Sequence, residues 1–546
     1  MRRLSSVVLC FLLIPCTVAA QKPPVSASSP GLSLTAVGRQ HHPIRTSSSE
    51  AQAYFDQGMT LVYGFNHEEA VRSFQRAAEI DPSSPMPLWG IALAVGPNYN
   101  LDVDAEREKL AYDTIQKALK LAEHAPQIEK DYVSALAARY SGDPNPDYKK
   151  LSRDYADAMA ALSRKYPDDL DAATLYAESL MNLNPWKLWT PDGRPGEHTE
   201  EILRVLESVL ARDPLHAGAN HYYIHAVEAS PNPSRALPSA KRLETLVPEA
   251  GHLVHMPAHI YVRTGDYAAA VTSNEEAAKT DSLYAEKAAQ QGSLYDLMYH
   301  SHNEHFLAYA AAMNGQYSVA KNAADHMAQR LLPHVQMMPM LDYFLTTPVW
   351  VDARFAKWDS ILARPEPATA LVGTHALWRY SRALAFAARG NRNQAAAEQS
   401  KFTAEAAAIP ADTKLGDQNT AGNILAVAGH ILDARIAAAS GMQEQTISHW
   451  RAAVAAQDAL NYAEPPDWYF PVRESLGAAL LEAGKLEEAE AVFRADLLQH
   501  PRNPRSLFGL LQTLRAEHRD SDAAWVQRQF EEAWKNAEVK LELKDL

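Results

Sequence analysis

The chain has 546 residues, a formal net charge of −14, and 21 histidines against only two cysteines. That acidic balance argues against a nucleic-acid partner, whose phosphates call for a basic face, and so few cysteines exclude a disulfide framework or a cysteine-rich zinc site. There is no glycine-rich phosphate loop, no Gly-x-Ser-x-Gly elbow and no His-Glu-x-x-His run, so nucleotide-dependent and serine-hydrolase chemistry lack their residues.

The first residues, Arg2 and Arg3, a short apolar run and Val18-Ala19-Ala20, predict a secretory signal peptide over 1–20. Its apolar part is too short to span a bilayer, so the expectation is a secreted or periplasmic protein with no integral membrane segment after cleavage. Both cysteines, Cys10 and Cys16, lie inside this leader, which leaves the mature chain without a thiol. Residues 21–48 are rich in Ser and Pro without an apolar period and predict a disordered tether. From 49 to 546 the chain reads as helix. A helix–turn–helix over 51–82 carries Gly58, Ala70, Phe74, Ala77 and Pro82, with His67 in its turn read as packed or surface. A helix from 85 breaks at the Gly96-Pro97-Asn98 turn, and helices follow over 104–122, 126–140 and 147–165. The segment 171–195 is a helix ended by Pro185 and an aromatic loop with Trp186 and Trp189, a candidate lid. Beyond residue 315 come alanine-rich helices in 375–399 and 422–445. An aromatic clamp at 464–471, a regular unit to 503 and a charged capping tail complete the chain.

Eight histidines crowd into 221–305: His221, His225, His252, His255, His259, His300, His302 and His305. At about 100° per residue, His221, His225 and Glu228 share one helix face, as do His252, His255 and His259. His221 and His225 recur 34 residues later as His255 and His259. His300 falls on the opposite side of its helix from His302.

The 34-residue period is that of the tetratricopeptide repeat, a helix–turn–helix unit that stacks into a superhelix. With Gly265, Tyr267 and Ala270, and the patterns of 51–82 and 470–503, the chain resembles that family, and with its leader it resembles secreted bacterial proteins of the type. The resemblance implies an all-α, right-handed tetratricopeptide-repeat superhelix (an α-solenoid) with degenerate repeats and insertions, the histidine-lined part lying within 171–315. In the family, the second, fifth, ninth and twelfth residues of each first helix line the concave groove. Those places fall on His252, His255, His259 and Val262, and in the preceding unit the last three of them fall on His221, His225 and Glu228. Matching Gly315 and Tyr317 to Gly265 and Tyr267 puts His302, His305 and Tyr309 at the second, fifth and ninth places. Glu178 takes the ninth place further upstream. The third run is offset by 50 residues, which implies an insertion near 282–297.

A stripe of imidazoles that would repel one another once protonated is accounted for by a bound cation. The expected ligands are His221, His225, His252, His255, His259, His302 and His305, with His221, His225, His255 and His259 meeting at one ion. Nitrogen and oxygen donors without thiolate suit a divalent transition metal, zinc, copper or iron. If the protein is an enzyme, Glu228 or Glu178 ligates or acts as general base on metal-activated water and Tyr309 donates to a developing oxyanion, with redox chemistry the other route. Two alternatives stay open: a scaffold that binds a peptide, protein or small-molecule ligand in the concave groove, and a metal-binding or delivery protein without turnover.

Overall fold

The computed structural model describes residues 40–102 and 104–546. The expected signal peptide lies outside the described residues. Among them the chain is helical throughout, with isolated bridges and no strand, and no helix is long and apolar enough to cross a membrane.

The first repeat pairs Ser49–Tyr63 with His67–Ile80. Ser48 caps the first helix on the Ala51 amide and Asn66 caps the second on that of Glu69, so each chain reversal is fixed by a side-chain acceptor. The ring of Phe74 lies directly on two helix backbones. A Cβ at Gly58 or Gly90 would come within 2.4 or 2.6 Å of it, so both positions require glycine. Phe493 repeats the device near the C-terminus between Gly477 and Gly509, where a Cβ would lie 2.5 and 2.1 Å from the ring.

The expected helices at 104–122, 126–140 and 147–165 are present as Ala105–Ala122, Gln127–Ala137 and Tyr148–Lys165. The insertion near 282–297 is a lengthened helix, Tyr267–Ala288, a turn, and one π-helical turn at Asp296–His300 that feeds Ser301–Met313. A single π turn adds a residue inside a helix and re-aims the side chains beyond it.

Contacts reach across the solenoid as well as between neighbouring helices. Tyr63 of the first repeat packs on His216 and Tyr222, and Arg72 donates to Tyr284 at 3.0 Å across 212 residues. At the other end, Gly265, in the left-handed region at φ 78°, would bring a Cβ to 1.9 Å from the Pro501 carbonyl. The main core draws residues from Ile44 to Leu546, and a smaller cluster forms around Leu297, Met327 and Leu341.

Of the tether expected over 21–48, residues 40–48 lie among the described residues and are held in place. His42 and Ile44 are buried while their neighbours His41, Pro43 and Arg45 face solvent. The segment is held by side-chain hydrogen bonds: Gln40 Nε2 donates to Asp171 Oδ1 at 2.8 Å, His42 Nδ1 lies 2.9 Å from Asp171 Oδ2, and Thr46 Oγ1 donates to Asp81 at 2.7 Å. Polar anchoring of this kind leaves no apolar period to read.

A candidate metal centre of six histidines

Four neighbouring helices supply the imidazoles. His221 and His225 stand one turn apart on Ala217–Glu228. His252, His255 and His259 come from Gly251–His255 and Pro257–Thr264, a helical run interrupted at Met256 because Pro257 has no amide to donate. His302 opens Ser301–Met313 just after the π turn. All are buried except His302, which is partly exposed.

They form two triads. In the first, nitrogens of His221, His225 and His252 lie within 4.8 Å of one another, and in the second those of His255, His259 and His302 do. Nε2 of His252 is 3.2 Å from that of His221. Nε2 of His259 is 2.9 Å from that of His255 and 3.5 Å from that of His302. The triads abut: ring centroids are 5.5 Å apart for His225 and His259, and 5.6 Å for His252 and His255.

The opposite ring nitrogens fix the tautomers. His221 Nδ1 lies 2.6 Å from the Tyr63 carbonyl oxygen, which can only accept. His225 Nδ1 lies 2.9 Å from Glu228 Oε1, and His259 Nδ1 meets Glu228 Oε2. His255 Nδ1 lies 2.6 Å from Asn274 Oδ1, and the Asn274 amide is oriented by its own donation to Ala270 O at 2.7 Å. All four Nδ1 atoms therefore carry the proton, and all four Nε2 atoms are bare lone pairs facing inward. His225 Nε2 is buried without a partner. Imidazole Nε2 atoms converging while carbonyl, carboxylate and amide oxygens hold Nδ1–H is the arrangement that orients histidine for metal ligation.

Electrostatics agree. Burial, and next to it neighbouring imidazoles, hold His221, His252, His255 and His302 well below the ordinary histidine value, so they stay neutral. Burial opposes ionisation of Glu228, but His259 and His225 outweigh it and bring the carboxyl to about 2.

Aromatic rings close the site. Phe65 covers the first triad, with its ring 4.5 Å from that of His221, 5.4 Å from His252 and 5.9 Å from His225. Phe65 takes φ 56°, a left-handed conformation that a non-glycine residue holds at a cost. Phe306 covers the second triad at 4.6 to 5.1 Å. Tyr99 sits 5.3 Å from His225 and stacks on Trp186, whose ring is 6.1 Å from His225. Trp189 Nε1 donates to Ala226 O at 2.8 Å, so the aromatic loop lies over this end of the helix.

Several sequence expectations need correction. The stripe faces inward but lines no open groove, since Phe65, Tyr99, Trp186 and Phe306 fill that space. His221, His225, His255 and His259 do not converge on one point, because His252 completes one triad and His302 the other. His305 joins neither: its ring stacks on Tyr469 at 5.0 Å between Tyr343 and Phe344, and Tyr469 OH donates to its carbonyl at 2.8 Å. Tyr309 turns to Tyr469 and Phe470. Glu178 accepts from Asn182 at 2.5 Å and lines a small pocket with Arg139 and His67. Glu228 touches both triads from their outer side, with Oε1 2.9 Å from His225 Nδ1 and Oε2 beside His259 Nδ1. His300 points away, to Asp296 at 2.9 Å, as its register implied. The sequence reading missed Tyr63, Phe65, Tyr99 and Asn274, which carry no repeat or ligand signature; Phe306 was visible only as the neighbour of His305.

Among the described residues two further groups bring metal-binding side chains together: His430, Asp433 and His449, all partly exposed, and His42, Asp169 and Asp171. In the second, Asp171 is already taken by Gln40, His42, Tyr63 and His216, and acts as a staple.

Residues 51–84 match the tetratricopeptide repeat. No curated protein matches the chain in sequence. Among solved structures, the human IFIT1 dimer with m7Gppp-AAAA is similar over 90% of this chain and 91% of its own, at 12% identity and a TM-score of 0.32. Yeast Tom70 is similar over 88% and 96%, at 11% identity and 0.31, and Ypp1 over 91% and 82%, at 9% identity and 0.44. Likenesses this distant carry nothing about activity or ligands. The matched repeat and the same glycine-and-phenylalanine packing at the other end of the chain belong to an all-helical fold built from repeats of the tetratricopeptide type.

Proposed function

We propose that this chain is an exported metalloprotein in which each histidine triad holds one transition-metal ion, and that any chemistry it performs runs through that pair. The observation that carries this is the set of four inward Nε2 lone pairs whose tautomers are fixed by Tyr63, Glu228 and Asn274. Bare lone pairs 2.9 Å apart repel, and a cation between them turns that repulsion into ligation. Zinc, copper and iron all accept imidazole nitrogen. Hydrolysis by metal-activated water needs a base within reach of that water. Glu228 is committed to two Nδ1 protons, and Glu178 and Tyr309 are bound elsewhere, so the residues favour electron transfer at the metals over proton abstraction.

The scaffold alternative, partner binding without metal, is supported by the repeat fold but not by the triads, where aromatic rings leave a peptide no room. Elemental analysis of the full chain, purified without a tag from its native host, separates the two. Two equivalents of metal are expected. Protein with less than about one-tenth of an equivalent of any transition metal, and none taken up on dialysis, would leave the scaffold.

A further inference from the structure

We propose that the metal is copper, entering as the monovalent ion, and that the two ions bind dioxygen between the triads. This rests on the metal-pair reading above and goes beyond it in naming the metal and the ligand.

The first support is charge. The six donors are neutral imidazoles, and the mature chain has no thiolate to offer, since the two cysteines are Cys10 and Cys16. The carboxylate of Glu228 is turned to the outer side of His225 and His259, so no anionic ligand bridges the triads. Two divalent ions would carry four positive charges into a buried, aromatic-walled volume, and uncompensated charge in such surroundings is expensive. Two monovalent ions halve that burden. Among the metals that take imidazole, copper is the one with an ordinary monovalent state, and that state accepts three nitrogen donors.

The second support is geometry. Three protein ligands leave each ion room for a further one, and the two triads lie side by side. Rings on either side stand 5.5 and 5.6 Å apart, a spacing that suits two metals about 4 Å from one another and a two-atom ligand between them.

The third support is the wall. Phe65 and Phe306 cover one triad each, and Tyr99 and Trp186 complete the first side. Among the described residues no lysine or arginine that could hold a carboxylate or phosphate there hydrogen-bonds a triad histidine. Dioxygen, small and apolar, needs no such group. Partly exposed His302 marks the side from which it enters.

The step balances without a proton. Each copper(I) gives one electron to dioxygen; the O–O bond order falls from two to one, and the product is peroxide held by two copper(II) ions through new copper–oxygen bonds.

The full-length mature chain, stripped of metal, is titrated anaerobically with copper(I) supplied as its acetonitrile complex, and oxygen is then admitted. The expected result is two copper ions per chain, uptake of one dioxygen per pair, and no electron paramagnetic resonance from isolated copper(II), because the two spins couple through the bridge. His225→Ala and His259→Ala should each bind a single copper and take up no dioxygen as peroxide. A wild-type chain that binds two coppers yet oxidises to two isolated copper(II) signals would overturn the bridge, and zinc displacing copper(I) at equal concentration would overturn the metal assignment. In both cases the metal pair itself survives. A chain that binds no metal fails the earlier reading instead.

Discussion

His255 and His259, four residues apart on successive turns, bring their Nε2 atoms to 2.9 Å while neither has a proton to share. The Nδ1–H of His255 is spent on Asn274, and that of His259 on Glu228. Two bare lone pairs at that distance have no favourable interaction of their own. The oxygens that fix the tautomers are thus as much a part of the centre as the imidazoles.

Those oxygens can be tested separately. Asn274→Leu removes the acceptor of His255 and should weaken metal binding in the second triad about 10- to 100-fold, with the first triad unchanged. Glu228→Gln keeps one acceptor oxygen for two Nδ1 protons and should weaken both. Isothermal titration of stripped protein reads the two affinities. Unaltered affinities in both variants would mean that Nδ1 anchoring does not orient the ligands.

Packing at the repeat gives a prediction independent of metal. A Cβ at Gly58 or Gly90 enters the volume of the Phe74 ring, which is fully buried and cannot move aside. Gly58→Ala and Gly90→Ala should each cost about 1–3 kcal/mol by overpacking, despite the better helix propensity of alanine. Gly390→Ala is no control, because Gly390 takes φ 72°; Gly429→Ala, with open space around it, is the proper one. Urea midpoints falling for the first two and holding for the third would bear this out.

Glu464 predicts a pH dependence. Burial, chiefly, with nearby Glu228 adding to it against the pull of Arg263, raises its carboxyl from 4.5 to about 8. Between those values the folded chain keeps a proton that the unfolded chain has released. Stability therefore falls as pH rises through that window, by about 1.4 kcal/mol per unit at most, and levels off above it. Glu464→Gln has no proton to lose and should flatten this slope in metal-free protein. Denaturant unfolding of both chains at about pH 5 and about pH 8 measures it; parallel pH profiles would remove Glu464 as the cause.

The repeat was legible because it depends on patterns a sequence displays. Gly58 and Phe74 lie one helix apart in the first unit and Gly477 and Phe493 do the same in a unit near the C-terminus, and the structure shows why the pairs go together. The helix faces of His221, His225, His252, His255 and His259 came from 3.6-residue periodicity alone. What periodicity does not carry is how neighbouring helices rotate against each other, so the partition into triads, with His252 on one side and His302 on the other, was not readable. The π turn at Asp296–His300 lies behind the third run's position, and a one-residue expansion leaves no compositional mark. His305 sits one turn after a ligand yet packs on Tyr469, from a segment more than 160 residues away. Contacts of that range also placed Phe65 and Tyr99 over the first triad and anchored residues 40–48.

The most direct measurement is metal stoichiometry in the wild type and in one variant of each triad. The full chain, purified without a tag and loaded with excess metal before desalting, should hold two ions. His225→Ala should hold one, in the second triad, and His259→Ala one, in the first. The pair of substitutions together should hold none, while His300→Ala and His67→Ala, whose rings are bound to Asp296 and to the Ala94 carbonyl, should hold two. Equal metal content in the wild type, His225→Ala, His259→Ala and the double variant would contradict a metal pair held by these histidines.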